Sequence, residues 1–376
     1  MKIAVMANQG GNGGVMAYLN GILSVRTEHT VNVYCTDALK LSECAGNVNI
    51  IRTDYAYESG KEIFLNKPLR PELIKMVDEF NPDIVLFVCG RIRKGLEKYP
   101  NVMVLHNQLY IDNAAFCQSV TPKSFLPLLG FRYIVRRSIK NADGVIFLSD
   151  KSKKDTDKAK LHYKNGKVVY FGLNPMAFAD TFRRYDMHDP VRLLYVSSFH
   201  KYKNHDSLFG AVKILKDGGY KIRLDLIGSG PKNREDELKV LAKTLEIEEN
   251  INFCGWKSQE EVFAAMDDSD IFVYPSAVES TGLGVMEAMA RGMYIACSKM
   301  SCMPDVLKKF GVYFDPKLEQ GIANALEMLI KSPCVCGEIA AEAAEYAKQY
   351  TWENAVKGHC EFFEELRNNR RKKCQI

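Results

Sequence analysis

The chain has 376 residues, a length that predicts about two domains. Apolar residues make up 47% and charged residues 26%, as in ordinary soluble globular proteins, and a net charge of +5 is too small to indicate a nucleic-acid partner. The N-terminus lacks a signal-peptide pattern, no apolar stretch has the length of a membrane span, and the eleven cysteines show no paired framework. We therefore expect a cytoplasmic protein with reduced thiols.

The first predicted strand, residues 2–7, runs into a glycine-rich turn that includes Gly13 and Gly14. Helical spacing of apolar residues follows at once. Glycine between a first strand and a first helix lets the backbone approach a ligand closely. The spacing GGNGG is not the GxGxxG of dinucleotide-binding proteins. An NAD site that uses Asp37 after the second strand, and a plain tight turn, both stay open as alternatives.

Strands and helices alternate through the first half of the chain, which predicts a parallel sheet. We predict strands at residues 30–35, 83–89, 102–105, 144–149 and 167–171, and helices near residues 73–80 and 121–142. His106 follows the strand at residues 102–105. The carboxyl ends of parallel strands border the crevice in which such sheets bind ligands, so His106 is a candidate active-site residue.

Three basic residues, Arg132, Arg136 and Lys140, recur every four positions in the predicted helix at residues 121–142. This spacing places them on one face. The face is either solvated, on a helix whose other side is in the core, or in contact with an anionic membrane. The polar stretch at residues 174–190 contains two prolines and predicts a domain boundary.

The second half restarts the alternating pattern with a strand at residues 191–197. The loop SSFHKYKN follows and carries Lys201 and Lys203. The strand at residues 221–227 ends in a turn with Gly228 and Gly230, which permits close backbone approach, and the strand at residues 250–254 ends at Gly255 and Trp256.

Residues 271–298 read as strand, loop, helix and strand. Glu279 lies in the loop and Glu287 in the helix, with seven residues between them. The small residues between them leave backbone N–H groups exposed at a helix N-terminus. Such groups form a binding site for an anion such as a diphosphate. Carboxylates repel phosphate but accept hydrogen bonds from hydroxyl groups. The ligand indicated is a phosphate with polyols on both sides, as in a nucleotide sugar.

Glu279, Glu287 and the sequence EAMARG that begins at Glu287 resemble the EX7E motif of the retaining glycosyltransferases of family GT4. The resemblance covers most of the chain and is strongest over residues 194–298. It implies an α/β protein with the GT-B fold, two Rossmann-like domains with parallel sheets that face a central cleft. The N-terminal, acceptor-side domain is then residues 1–174, completed by the C-terminal helix at residues 352–376. The nucleotide-sugar-binding domain is residues 175–351.

The activity that the resemblance implies is transfer of a sugar from a UDP- or GDP-sugar to an acceptor hydroxyl, with retained anomeric configuration. The acceptor is a saccharide or a lipid-linked molecule in the assembly of cell-surface polysaccharide, lipopolysaccharide or glycolipid. A sugar-nucleotide epimerase or phosphorylase of the same fold, and a non-catalytic sugar-nucleotide-binding subunit, are the alternatives.

The resemblance also assigns roles to residues. His106, Lys203 and Glu279 are the catalytic candidates: Lys203 contacts the diphosphate and Glu279 the donor-sugar hydroxyls, while Glu287 binds the ribose. The donor-binding residues are Gly13, Gly14, Lys203, Gly228, Gly230, Trp256, Glu279, Thr281, Gly282, Leu283 and Glu287. Two positions depart from the family pattern. Ser198 replaces a usual arginine, for which Lys201 is the candidate substitute, and Ser301 and Cys302 replace a glycine pair.

We expect neither a metal nor any other cofactor. Asp267, Asp268 and Asp270 look like the end of a helix that precedes a strand rather than a DxD metal site, and enzymes of the GT-B fold generally need no bound metal. The basic residues Arg367, Arg370, Arg371, Lys372 and Lys373 predict a disordered, solvated tail, with contact to an anionic membrane as the alternative.

Overall fold

The computed structural model describes residues 1–7, 14–56, 62, 67–113, 116–117, 125–179 and 187–374. The chain folds into two compact units. The N-terminal unit comprises residues 1–172 and 350–376, and the C-terminal unit comprises residues 173–349. The chain passes from one unit to the other twice, and each boundary predicted from the sequence lies two residues from the boundary in the structure.

Seven parallel strands form the sheet of the N-terminal unit, in the order β3-β2-β1-β4-β5-β6-β7. The strands are β1 (Lys2–Ala7), β2 (Thr30–Cys35), β3 (Val48–Arg52), β4 (Ile84–Phe87), β5 (Asn101–Leu105), β6 (Gly144–Phe147) and β7 (Gly166–Val168). The α-helices are α1 (Gly14–Ser24), α2 (Pro71–Phe80), α3 (Phe125–Asn141) and α4 (Asp150–Lys158), with α12 (Trp352–Cys374) from the end of the chain. β4, β5 and β6 are buried at every position, as expected for a sheet covered on both faces.

The helix α12 packs against the N-terminal unit through aromatic contacts. A Cβ atom on Gly21 of α1 would lie 1.9 Å from the Trp352 ring, so only glycine fits at this crossing. The ring of Phe171 packs against Trp352 with a centroid distance of 4.8 Å, and the Tyr18 hydroxyl lies 2.5 Å from His359 Nε2. These contacts make the end of the chain part of the N-terminal unit.

Two predictions about basic residues are wrong. The predicted disordered tail continues α12 to Cys374, because arginine and lysine are good helix formers, and Arg370 donates a hydrogen bond to the Lys98 carbonyl. The predicted basic face of α3 does not face solvent as a whole. Arg132 is buried and Arg136 half-buried, and both donate to the segment after β5, so only Lys140 of the three is exposed.

Six parallel strands form the sheet of the C-terminal unit, in the order β10-β9-β8-β11-β12-β13. The strands are β8 (Val191–Val196), β9 (Ile222–Ile227), β10 (Ile251–Gly255), β11 (Ile271–Tyr274), β12 (Tyr294–Ser298) and β13 (Val312–Phe314). The α-helices are α5 (His205–Asp217), α6 (Lys232–Thr244), α7 (Gln259–Asp268), α8 (Leu283–Ala290), α9 (Met303–Leu307), α10 (Glu319–Lys331) and α11 (Pro333–Ala347). The strand order reverses between β8 and β11, and in open parallel sheets ligands bind at the carboxyl ends of the strands at such a point.

The fold prediction is confirmed in its class. Both units are Rossmann-like, with a parallel sheet whose strands alternate with helices along the chain. The predicted strand at residues 2–7 is β1, with identical bounds, and the strand that opens the predicted unit at residues 271–298 is β11.

Candidate active site

Two loops of the C-terminal unit leave adjacent strands at the point where the strand order reverses. One follows β8 and carries Lys203, and the other follows β11 and carries Glu279. They are hydrogen-bonded together, because the Ala277 N–H donates to the Tyr202 carbonyl at 2.9 Å and the Asn204 amide donates to the Pro275 carbonyl at 2.8 Å. The loops therefore form one surface that holds both candidate residues.

Lys203 and Glu279 form an ion pair at the centre of this surface. Both side chains are largely buried, and the Tyr274 hydroxyl donates a second hydrogen bond to Glu279 Oε1 at 2.8 Å. The Lys203 ammonium lies 5.5 Å from the ring centroid of Tyr202 and 5.8 Å from that of Tyr274. The lysine and the glutamate were predicted from the sequence, but the two tyrosines were not. The tyrosine rings hold the ion pair in an aromatic environment of low dielectric constant.

Ser301 holds the backbone of Glu279 in place. Its hydroxyl accepts a hydrogen bond from the Glu279 N–H at 2.8 Å and donates one to the Glu279 carbonyl at 2.6 Å. Ser301 has φ of +59°, a left-handed conformation that is uncommon for residues other than glycine. The glycine that the family pattern expects would fit this backbone but would lack the hydroxyl. Ser301 thus contributes two hydrogen bonds to the loop that carries Glu279, which a glycine at this position could not make.

The N-terminus of α8 adjoins the same loop. Gly282, with φ of +67°, is the N-cap and offers no side chain to cap the helix, and Thr281 immediately precedes it. The helix begins at Leu283 and is eight residues long. Its first backbone N–H groups and the positive end of its dipole suit an anion.

Glu287 lies inside α8 and is buried. Gln259, at the start of α7, donates a hydrogen bond to Glu287 Oε1 at 3.0 Å. Burial raises the pKa of the Glu287 carboxyl to about 7, while the hydrogen bond from Gln259 opposes this shift. The side chain therefore changes charge near neutral pH. Gln259 was not predicted from the sequence as a partner of Glu287, because the two residues are 28 positions apart along the chain.

We expect the raised pKa of Glu287 to make the protein less stable as pH rises from about 4.5 to about 7. In this range the folded protein keeps the proton that the unfolded chain has released, so stability falls with pH by about 3 kcal/mol in total. Urea unfolding at a series of pH values measures the effect. Glu287→Gln is the matched control, since its amide does not titrate. Parallel stability curves for the two proteins between pH 4.5 and 7 would contradict the prediction.

The remaining predicted donor residues of the C-terminal unit end β9 and β10. A Cβ atom on Gly228, with φ of +136°, would lie 2.0 Å from the Ser197 carbonyl oxygen, and one on Gly230 would lie 2.7 Å from Phe199 Cβ. The lack of a side chain at both glycines therefore allows the turn after β9 to pack against the loop after β8. Trp256 is 75% exposed and leaves the face of its indole ring available for stacking.

In the N-terminal unit, His106 follows β5 as predicted, and Gly14 begins α1. The Tyr18 ring meets the His106 ring edge-on at a centroid distance of 4.9 Å. A Cβ atom on Gly14 would meet nothing within 4 Å among the described residues, so packing does not require glycine there. Gly13 lies outside the described residues.

The three aspartates near α7 lie where the sequence predicted, at the end of a helix before a strand. Asp267 pairs with Arg291, Asp268 with Arg192, and Asp270 accepts hydrogen bonds from the backbone N–H groups of Arg192 and His188. Their oxygens are thus engaged with protein partners. Glu28, His29 and Glu364 of the N-terminal unit also have ligand atoms within 4.8 Å of one another, but His29 Nδ1 already contacts the N-terminal amine at 3.2 Å.

Comparison with known families matches residues 178–350 to the family described as glycosyl transferases group 1. The chain is similar to the amylovoran biosynthesis glycosyltransferase AmsK of Erwinia amylovora, with 30% identity over 38% of this chain and 35% of that protein. It is also similar to the O-antigen chain mannosyltransferase B of Escherichia coli, with 27% identity over 50% of this chain and 49% of that protein. The chain thus spans half or less of the length of these relatives.

Solved structures share the fold along nearly the whole chain. Sucrose-phosphate synthase from Thermosynechococcus elongatus superposes with a TM-score of 0.75 at 15% identity, covering 97% of this chain and 99% of that one. The Anabaena protein HepE in complex with UDP and glucose gives a TM-score of 0.73 at 17% identity, covering 97% and 100%. These neighbours have the GT-B fold, which this chain shares.

Proposed function

We propose that this chain, whose residues 178–350 match the family described as glycosyl transferases group 1, is a retaining glycosyltransferase that uses a nucleotide-diphosphate sugar. The donor is a UDP- or GDP-sugar. One observation carries the proposal: Lys203, Glu279 and the N-terminus of α8 lie on loops from adjacent strands, with Glu287 buried in the same helix. This set supplies positive charge for a diphosphate and carboxylates for the hydroxyl groups on either side of it.

In the proposed reaction the bond between the anomeric carbon and the terminal phosphate oxygen of the donor breaks. A bond from the acceptor oxygen to the same face of that carbon forms. The acceptor proton passes to the leaving phosphate, so that no enzyme nucleophile is needed. Lys203 and the first N–H groups of α8 stabilise the charge that develops on the diphosphate. Glu279 accepts hydrogen bonds from the donor sugar, and Glu287 accepts them from the ribose.

The acceptor in this proposal is a saccharide or a lipid-linked saccharide in the assembly of cell-surface polysaccharide, lipopolysaccharide or glycolipid. Support comes from the relatives, whose names refer to amylovoran and O-antigen synthesis. A non-catalytic binding subunit is disfavoured because Lys203, Glu279 and Glu287 are all in place and well ordered by partners. An epimerase or phosphorylase of the same fold has no observation in its favour here.

The direct test of donor binding is a thermal-stability screen of the full-length protein with UDP-, GDP- and ADP-sugars. A ligand present at 100 times its Kd stabilises the folded state by about 2.7 kcal/mol. We expect one nucleotide class to raise the melting temperature and the other two to leave it unchanged. The absence of stabilisation by every nucleotide sugar would contradict the proposal.

We also propose that the transfer needs no metal ion, since Asp267, Asp268 and Asp270 are held by arginines or by backbone N–H groups. Activity is expected to survive excess EDTA. In the proposed site Lys203 and the N-terminus of α8 supply the positive charge that a metal ion would otherwise supply to the diphosphate. The measurement is the initial rate before and after chelation. Loss of activity that manganese or magnesium restores would contradict this prediction.

A further part of the proposal is peripheral contact with an anionic membrane through α3. The stripe exposed on this helix differs from the one predicted from the sequence. It consists of Leu126, Leu129, Tyr133, Arg137 and Lys140, with the large apolar residues toward the N-terminus and the basic ones toward the C-terminus. Such a helix suits the boundary between lipid headgroups and acyl chains. Among the described helices, none is long and apolar enough to span a membrane.

The membrane proposal predicts that the protein binds anionic vesicles in low salt and that Arg137→Ala with Lys140→Ala weakens this binding. Each basic residue near the surface contributes about 1 kcal/mol, so the pair is expected to account for roughly thirty-fold in affinity. Lys154→Ala with Lys158→Ala, on α4, is the matched control and should bind as the wild type does. Equal binding to neutral and anionic vesicles, or an equal loss in the control, would contradict the proposal.

A further inference from the structure

Tyr195 connects the interior of the C-terminal sheet to the loop that carries Lys203. It lies in β8, and its side chain is buried. Its hydroxyl donates a hydrogen bond to the backbone carbonyl of Lys203 at 2.8 Å. The loop after β8 therefore turns back over the end of its own strand, and the backbone of Lys203 is held from inside the protein.

Two further contacts hold the backbone around Lys203. The Lys203 N–H donates to the His200 carbonyl at 3.0 Å within the 3-10 turn at residues 201–203. Asn204 has φ of +52°, a left-handed conformation that asparagine adopts more readily than most residues, and its amide donates to the Pro275 carbonyl. Because the backbone is held on both sides of its Cα atom, the direction in which the Lys203 side chain leaves the loop is fixed as well.

The Tyr195 side chain makes two separable contributions, one through its ring and one through its hydroxyl. The ring packs edge-on against Tyr274 with a centroid distance of 5.5 Å, and its centroid lies 4.8 Å from that of the His205 ring. Burial raises the pKa of the Tyr195 hydroxyl well above its ordinary value, so the hydroxyl keeps its proton and is a donor at physiological pH. Phenylalanine at this position would keep the ring contacts and would remove the donor to the Lys203 carbonyl.

We propose that Tyr195 is a positioning residue for Lys203 in the sugar transfer. Because Tyr195 is buried, it acts through the lysine rather than on the donor itself. The inference rests on the proposed function, which places the Lys203 ammonium group at the diphosphate. An ammonium group that stabilises developing charge must lie where that charge appears, and a misplacement of about 1 Å can lower the rate by roughly a hundred-fold. The Tyr195 hydroxyl prevents such a misplacement.

The first test is a double-mutant cycle in the full-length protein, with turnover measured as release of nucleoside diphosphate from the donor identified in the stability screen. Tyr195→Phe is expected to lower turnover by about tenfold, which is part of the loss expected for Lys203→Ala. In the Lys203→Ala background the same change is expected to alter turnover by less than about twofold, because the group that Tyr195 positions is already absent. An equal fall in both backgrounds, or normal turnover of Tyr195→Phe, would overturn the inference.

Tyr294→Phe is the matched control that separates positioning from general stability. Tyr294 begins β12 of the same sheet, at the end opposite the candidate active site, and its hydroxyl donates to the Pro333 carbonyl at 3.1 Å. Each variant loses one hydrogen bond from a buried tyrosine to a backbone carbonyl, so we expect both to melt a few degrees below the wild type. Only Tyr195→Phe should lose turnover. Equal losses of turnover in the two variants would overturn the inference.

Calorimetric titration with UDP and GDP keeps this inference apart from the proposed function. If the diphosphate lies at Lys203, we expect Lys203→Ala to weaken nucleotide binding and Tyr195→Phe to weaken it by a smaller factor. Weaker binding to Lys203→Ala, together with unchanged binding and turnover of Tyr195→Phe, would refute the positioning role and leave the proposed donor site in place. Unchanged binding and turnover of Lys203→Ala would refute the proposed donor site, and the inference with it.

Discussion

Lys203→Ala is expected to lower turnover by roughly a hundred- to a thousand-fold, the loss seen when one donor to developing negative charge is removed from an active site. The effect should be large because Ser198 stands where the family resemblance implies an arginine, so in the proposed reaction Lys203 carries more of the charge on the diphosphate. The variant should also bind nucleoside diphosphate more weakly. Turnover and nucleotide affinity, measured on the donor identified in the screen, check both expectations.

Lys201→Ala is the matched control for Lys203→Ala. Lys201 lies in the same 3-10 turn, but it is exposed whereas Lys203 is buried. We expect Lys201→Ala to change turnover by less than about threefold, in line with the small effects of exposed charges. Comparable losses in the two variants would show that Lys201 supplies the missing cation. Normal turnover of Lys203→Ala would place the diphosphate elsewhere.

Glu279→Ala is expected to abolish most of the transfer while it preserves or strengthens the binding of free nucleoside diphosphate. In the wild type Glu279 neutralises Lys203, so a diphosphate must compete with the carboxylate for the ammonium group. Without the carboxylate this competition disappears, whereas the donor-sugar hydroxyls lose their acceptor. The two single variants should thus move nucleotide affinity in opposite directions. Calorimetric titration with UDP and GDP measures the nucleotide affinity of each variant. A loss of affinity in both variants would contradict the account.

The free energy of unfolding of the Lys203 and Glu279 variants tests whether the two side chains are coupled as an ion pair. Removal of one partner leaves the other as an unpaired buried charge, which costs about 3–5 kcal/mol, whereas removal of both leaves none. The double variant Lys203→Ala with Glu279→Ala should therefore be more stable than either single variant. Tyr274→Phe, which removes only the hydroxyl that donates to Glu279, should have a smaller effect of about 1–2 kcal/mol. Additive losses in the double variant would show that the ion pair is not coupled.

The fold and the charged residues of the candidate active site could be predicted because their signals are local in the sequence. The buried strand β11 is a continuous apolar run, and Glu279 and Glu287 occur at a fixed spacing around a helix start. The partners of these residues could not be predicted in the same way. Ser301 reaches Glu279 across 22 positions and Gln259 reaches Glu287 across 28, and such contacts depend on how the strands are ordered in the sheet.

The orientation of α3 shows a second limit. A spacing of four residues indicates that Arg132 and Arg136 share a face, but periodicity alone does not say whether this face is solvated. In the structure the arginines find backbone carbonyls after β5, and the exposed stripe falls on Leu126 and Tyr133 instead. The side-chain amide of Gln108, which has no hydrogen-bond partner among the described residues, likewise has no signature in the sequence, because satisfaction of a polar group is a property of the packed chain.

The central claim is transfer of a sugar with retained configuration from a nucleotide-diphosphate donor. NMR of a reaction that contains the protein, the nucleotide sugar that stabilises it and a methyl glycoside as acceptor tests this claim most directly. We predict that one nucleoside diphosphate is released for each new glycosidic bond. We also predict that the coupling constant of the anomeric proton in the product shows the same anomeric configuration as in the donor. A product of inverted configuration, or a new glycoside formed without release of nucleoside diphosphate, would contradict the account.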